Sequence, residues 1–293
     1  MTRFHHGSLR LKIRLMAALT ILIPLLLLLL AATKPASSPA RSADINFVLI
    51  SAILLCSLFL YRWDIGGYFL VAVLLPAYVA AAFLRRGALA GIIALGLIAL
   101  PWLLLRLRPR HKRLDLEFPL KDGLFYVAHG GSSNLSNYHG RFARSQKYAL
   151  DITQLNPLGV RAKGLAPHQL DHYRIYGATV RSPCAGTIIA AHNGAPDEPP
   201  GVRQNQHAPA GNYLQIQPEG TEIQLLLAHL QPGSLLVKTG DTVLAGQLLA
   251  RVGNSGHTTE PHLHIHAQIG SQIPVPLTFR RRWLVRNSLV WSR

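Results

Sequence analysis

Within the first 114 residues, charge is confined to the breaks between four long apolar runs, and this limits what that part of the chain can become. Nineteen uncharged residues lie between Arg14 and Lys34, 17 between Asp44 and Arg62, 20 between Asp64 and Arg85, and 19 between Arg86 and Arg106. A helix rises about 1.5 Å per residue, so each run matches a hydrocarbon core of about 30 Å. The expected elements are transmembrane helices at 15–33, 45–61, 65–84 and 87–105, the last two joined by a tight hairpin at Arg85-Arg86. The first run follows Arg3, Arg10, Lys12 and Arg14 and precedes Pro35 and Pro39, features shared with signal peptides. Its core is longer than a usual signal core and three runs follow, so an uncleaved anchor is expected. No ionisable side chain lies inside any run, so nothing points to a transport pathway or proton relay.

The formal net charge of +17 has the same origin, since residues 1–114 hold 14 Lys or Arg against 2 Asp or Glu. A nucleic-acid interface would interleave cations with aromatic side chains on a folded face; here the basic residues flank apolar runs, and nucleic acid is excluded as a partner. The lipid bilayer is the expected partner. Two cysteines, Cys56 and Cys184, make neither a disulfide framework nor a thiolate metal site.

From Leu116 to about Arg280 the texture changes to short apolar or alternating stretches between Gly, Pro, Asn and Asp, which predicts a mostly-β domain over 115–280. Strands are expected at Leu124–Ala128, Lys147–Ile152, Gly186–Ala191, Asn212–Gln217, Ile223–Leu230, Val243–Val252 and His262–Gln268. Asn193 to Gly211, with Pro196, Pro199, Pro200 and Pro209, reads as a long loop beside a cleft. Residues 281–293 form a basic, aromatic carboxy-terminal tail, suited equally to lipid headgroups or to packing on its own domain.

Histidines carry the chemical signal. In Pro261-His262-Leu263-His264-Ile265-His266 an extended chain puts the three imidazoles on one face and Leu263 and Ile265 on the other. Clustered histidines on an otherwise apolar strand point to metal binding or catalysis. His229 ends the apolar strand Ile223–Leu230, where a single histidine is more often part of the core. Asp151 interrupts the apolar run Tyr148-Ala149-Leu150-Asp151-Ile152 and, if buried, needs a cation or hydrogen-bond donors. A short polar loop, Arg141 to Ser145, is long enough to fold His139 of Asn137-Tyr138-His139-Gly140 onto the same place. His129, His168, His172, His192, His207 and His257 fall in polar or Gly/Pro-rich segments and are expected to be solvated, with His257 nearest the cleft.

The order of N-x-H, Q-x-Y-A-L-D-I, A-H-L, V-x-x-G-D-x-V-x-x-G-Q, G-N-S-G and P-H-L-H-I-H resembles the lysostaphin/LytM-type zinc endopeptidases, family 23 of the metallopeptidases, which cut peptide cross-links in peptidoglycan. The resemblance spans about Phe118 to Gln268 and lies in the succession of motifs more than in any one. It implies a lysostaphin-like antiparallel β-sheet or β-sandwich, with His139, Asp151 and His264 as Zn²⁺ ligands and His229 and His262 as catalytic histidines. His266, where relatives often carry Glu, is expected to support the ligands without binding the ion. The commoner family pattern places the first histidine four positions before the aspartate; Lys147 stands there, and His139, twelve residues upstream of Asp151, takes its place. Two imidazoles and a carboxylate suit Zn²⁺ and leave a fourth position for water.

The sequence therefore predicts a multi-pass membrane-anchored zinc metalloendopeptidase acting on peptidoglycan peptides, with its oligomeric state unspecified. The alternatives are a non-catalytic domain that binds peptidoglycan or regulates a hydrolase, and a membrane-fusion-type adaptor, whose heptads are absent. Val237 to Gln247 also resembles the hairpins of biotinyl and lipoyl carriers, but Lys238 precedes the Gly-Asp turn where a carrier would show its acceptor lysine at the tip. Location poses a conflict: with four basic residues before the first run and five at 106–113, the positive-inside count puts the β domain in the cytoplasm. The substrate places it outside, on the bacterial inner membrane.

Overall fold

The computed structural model describes residues 113–134, 136–164, 167–201 and 208–293. The four expected spans and His207 lie outside the described residues. Among the described residues no helix is long and apolar enough to cross a membrane.

Short alternating stretches between turn residues become strands, as period-two patterning requires. In chain order they are β1 (Leu114–Leu116), β2 (Gly123–His129), β3 (Leu150–Leu155), β4 (Thr179–Arg181), β5 (Gly186–His192), β6 (Asn212–Pro218), β7 (Ile223–Leu230), β8 (Thr242–Val243), β9 (Leu248–Arg251), β10 (Leu263–Ile269), β11 (Ile273–Val275), β12 (Leu277–Phe279) and β13 (Leu289–Ser292). One antiparallel sheet runs β13-β2-β3-β10-β7-β6-β5-β8, with β11 also on β10. β4 pairs with β9 and β1 runs parallel to β12. Val180, Leu249 and Ala250 of the smaller pair join Ile188, Leu225 and Ile265 of the large sheet in one core.

β10 is the central element. Leu263 and Ile265 are fully buried in the core, and His264 and His266 face the other way. Burying a large aliphatic side chain is worth about 1.5–3 kcal/mol, and a one-residue slip of β10 would exchange core leucine and isoleucine for histidine. The apolar residues of this strand therefore hold the register that aims its histidines.

Several expectations change at the element level. The run expected as one strand from Val243 to Val252 is split, because Gly246, at φ 83°, turns the chain between β8 and β9. β3 begins at Leu150, three residues later than predicted, because Arg144–Gln146 form a 3₁₀ turn that Lys147 closes. β1, β4, β11, β12 and β13 are three or four residues long, too short to show a period. The carboxy-terminal residues set apart as a tail are part of the fold: β13 pairs with β2 from Leu289↔Tyr126 to Ser292↔Gly123.

Candidate metal centre and active site

β3 and β10 run antiparallel with Asp151 opposite His264, and β10 meets β7 with His264 opposite Ala228. Cross-strand partners share a face, so Asp151 and His264 point into the same cleft. His139 arrives from outside the sheet, on the 3₁₀ turn His139–Arg141. Gly140 permits this: a Cβ there would lie 3.1 Å from the Lys147 Cα, so only glycine lets the turn rest against that segment without displacement.

The His139 Nε2 lies 3.2 Å from Asp151 Oδ2, and the His264 Nδ1 lies 2.9 Å from Asp151 Oδ1. One donor atom from each of the three residues falls within 4.8 Å of the others. A tetrahedral ion with arms of about 2.0–2.1 Å separates its ligands by roughly 3.4 Å, so the spacing fits zinc. The donor chemistry fits as well. Asp151 is only 4 % exposed and is also approached by His262 Nε2 at 3.5 Å. Each imidazole nitrogen facing that carboxylate must bring a proton or share a cation with it.

Neighbouring groups set the tautomers. Asn137 Nδ2 faces the carbonyls of Gly131, Lys147 and Ala149, which turns its Oδ1 toward His139. The His139 Nδ1–H donates to that oxygen at 2.8 Å, leaving Nε2 with its lone pair for the site. His264 Nε2 meets His266 Nδ1 at 2.9 Å. With Nδ1 of His264 engaged at the site, its Nε2–H donates to His266. His229 Nδ1–H donates to the Ser255 carbonyl at 2.8 Å, and His262 Nδ1–H donates to the Glu260 carbonyl at 2.8 Å. A carbonyl only accepts, so both histidines leave Nε2 as the nitrogen available for chemistry.

His229 reaches the cleft by an exception to strand geometry. Alternation gives Ala228 the face of His264 and would send His229 into the core. A φ of 62° at His229 swings its ring back, to 4.7 Å from the His262 ring and 5.8 Å from that of His264. Its backbone N–H donates to Ala210 and its carbonyl accepts from Gly253, so two loops hold this conformation.

Burial alone would raise the Asp151 carboxyl, but the His139 and His262 imidazoles hold it well below the usual carboxylate range. Burial pushes His229 well below the ordinary imidazole value, helped by the charges of His262 and His264. Burial likewise lowers His264, and it brings His266 down to about 3. Burial pulls His262 down, but the charge and hydrogen bond of Asp151, together with the carbonyl and charge of Glu260, raise it on balance.

All five histidines and Asp151 line one cleft of about 410 Å³, whose walls include Tyr138, Phe142, Pro209 and His257. Residues 170–275 of the chain match the model of peptidase family M23. The chain carries an M23 peptidase domain. The match takes in His229, His262, His264 and His266 and begins after His139 and Asp151, which the structure brings to the M23 motif through the pairing of β3 with β10.

Two similar proteins are peptidoglycan DD-endopeptidases of Vibrio cholerae. ShyA is 30% identical over 149 residues, covering 49% of this chain and 30% of its own, and ShyB is 31% identical over 155 residues, covering 52% and 32%. The chain thus spans about a third of the length of these curated relatives. A zinc-containing peptidase from the same organism is 33% identical over 36% of this chain and 26% of its own, with a TM-score of 0.26.

Some contributors to the M23 site were not assigned a role from sequence. Asn137 was visible only as the first letter of N-x-H. His129 was expected to be solvated, yet a bulge in β2 places it opposite Asp151, with its ring 4.3 Å from Tyr138 and 5.9 Å from His139. Arg161 pairs with Glu260 at 2.9 Å, beneath the carbonyl that holds His262. No local pattern announces the placement of His129 or Arg161, because their partners Asp151 and Glu260 are distant in sequence.

Proposed function

We propose that the chain is a membrane-anchored zinc metalloendopeptidase that hydrolyses peptide bonds in peptidoglycan cross-links. The convergence of His139 Nε2, Asp151 and His264 Nδ1, with two further histidines on the same cleft, carries this reading. Zinc held there supplies Lewis acidity, which makes water a nucleophile near neutral pH and polarises a carbonyl.

The protein's part is to place and move protons. His262, whose Nε2 stands 3.5 Å from Asp151, takes the proton of the attacking water and is kept in the receptive tautomer by the Glu260 carbonyl. His229, held through Ser255, directs its Nε2 to the oxyanion and the leaving amine. His266 keeps His264 oriented through the 2.9 Å bond. The amino-terminal runs anchor the domain in a bacterial inner membrane, and its substrate puts the cleft on the cell-wall side.

Incubation of the purified full chain and zinc with murein sacculi, followed by mass spectrometry, tests the activity. Release of peptide-cleaved muropeptides that a chelator abolishes is expected. Intact sacculi, together with no stoichiometric zinc in the protein, would leave a binding or regulatory domain as the better description.

A further inference from the structure

A second cleft, of about 540 Å³, shares no residue with the first and is lined by Lys121, Arg280, Arg282, Trp291 and Arg293 among others. Residues 280–293 contain five arginines and no acidic residue. Trp291 stands 63 % exposed on the edge strand β13, while its neighbour Val290 is buried. Exposed indole among arginines is the composition of a surface that meets the boundary between headgroups and water.

The backbone adds an independent observation. Phe279 and Arg282 exchange both backbone hydrogen bonds, at 3.0 and 2.9 Å, so Arg280-Arg281 is a two-residue hairpin loop. Both have positive φ, 48° and 63°, the combination that favours Asn-Gly. The chain holds two arginines in a conformation that suits them poorly, and both side chains are exposed. The acidic partners at the tip are both exposed: Glu117, 2.6 Å from Arg280, and Asp115, which accepts from the Arg281 backbone N–H at 2.8 Å, a bond that any residue at 281 could make. Exposed pairs of this kind contribute little to stability.

The location is equally specific. β1 pairs with β12 from Leu114↔Leu277 to Leu116↔Phe279, so the arginine tip lies roughly 10 Å along the strand from the point where the chain enters the domain. Immediately before that point come the five basic residues of 106–113 and the apolar run 87–105.

From charge, exposed indole, the hairpin and this position, we infer that the face of Arg280, Arg281, Arg282 and Trp291 rests on an anionic phospholipid surface and sets how the peptidase domain sits on its membrane. This deepens the anchor reading above and rests on it. The test uses the full chain in nanodiscs of phosphatidylcholine alone or with phosphatidylglycerol, and reads hydrogen exchange over 278–293. Slower exchange in the anionic discs, removed by high salt, is expected. Arg280→Asn/Arg281→Gly, which installs the favoured turn, should raise the melting temperature by about 2–4 °C. The same variant should lose about fivefold of the lipid-dependent protection for each arginine removed.

Equal exchange in both lipids overturns the inference, as does slowing produced by added murein fragments in place of anionic lipid. If the chain fails to insert, the anchor reading fails, and the same comparison with discs added to the dissolved chain still tests the surface.

Discussion

A buried carboxylate facing three imidazole nitrogens is the residue around which this site is organised, and substitutions there separate binding from turnover. His264→Ala is expected to lose zinc and hydrolysis together, whereas His262→Ala should keep most of its zinc and lose about 10²–10⁴-fold in rate. Metal analysis beside a turnover assay reads both, and equal zinc loss would overturn the role given to His262. The first ligand has its own contrast: His139→Ala should weaken zinc binding while Lys147→Ala should not. Asn137→Ala removes the oxygen that fixes the His139 tautomer, so zinc affinity should fall by about 10–100-fold with the ligands still present.

At the scale of elements, the cleft depends on two loops that cross with almost no space between them. A Cβ on Gly256 would lie 2.4 Å from the Gly211 backbone nitrogen, and one on Gly211 would lie 2.3 Å from the Ser255 carbonyl group. Both residues have positive φ. This contact delivers the Ser255 carbonyl to His229 and brings Ala210 to its backbone N–H. Gly256→Ala should therefore destabilise the domain by more than about 2 kcal/mol in urea unfolding, since both the conformation and the space exclude a methyl group. A substitution that cost nothing would mean that the loops do not cross this way. The β10 register explains why the histidine pattern was legible from sequence: alternation is local, and Leu263 and Ile265 mark the buried face.

For the whole molecule, protonation and placement give separate expectations. Burial lowers His229, His264 and His266, so below an unfolded imidazole value of about 6.5 the unfolded chain takes up protons that these three refuse, and stability falls with pH. His262 acts in the opposite sense: its raised value contributes stability that is full below the unfolded value and is lost as pH rises through the folded one. Three groups against one predict that the zinc-free chain melts lower at about pH 5.5 than at about pH 7.5. An unchanged or higher melting temperature in acid would contradict this set of environments. A carboxy-terminal alkaline-phosphatase fusion is expected to be active, in keeping with a domain outside the cytoplasm. An inactive fusion would favour the orientation implied by the positive-inside count and remove the cell-wall role.

Sequence alone determined the mostly-β character of residues beyond about 115, the face shared by His262, His264 and His266, and the need of Asp151, if buried, for a cation or hydrogen-bond donors, because each follows from side-chain type and a two-residue period. Tertiary structure decided the rest. His229 reaches the cleft through a positive φ stabilised by two loops, where alternation would place it in the core. His139 arrives over Gly140, with its tautomer set by an asparagine whose amide group answers three carbonyls. The carboxy-terminal residues became a sheet edge because β2 offered them backbone partners more than 160 positions away. Local patterning carries the direction in which a side chain points; what it meets there depends on hydrogen bonds between segments that the chain must first bring together.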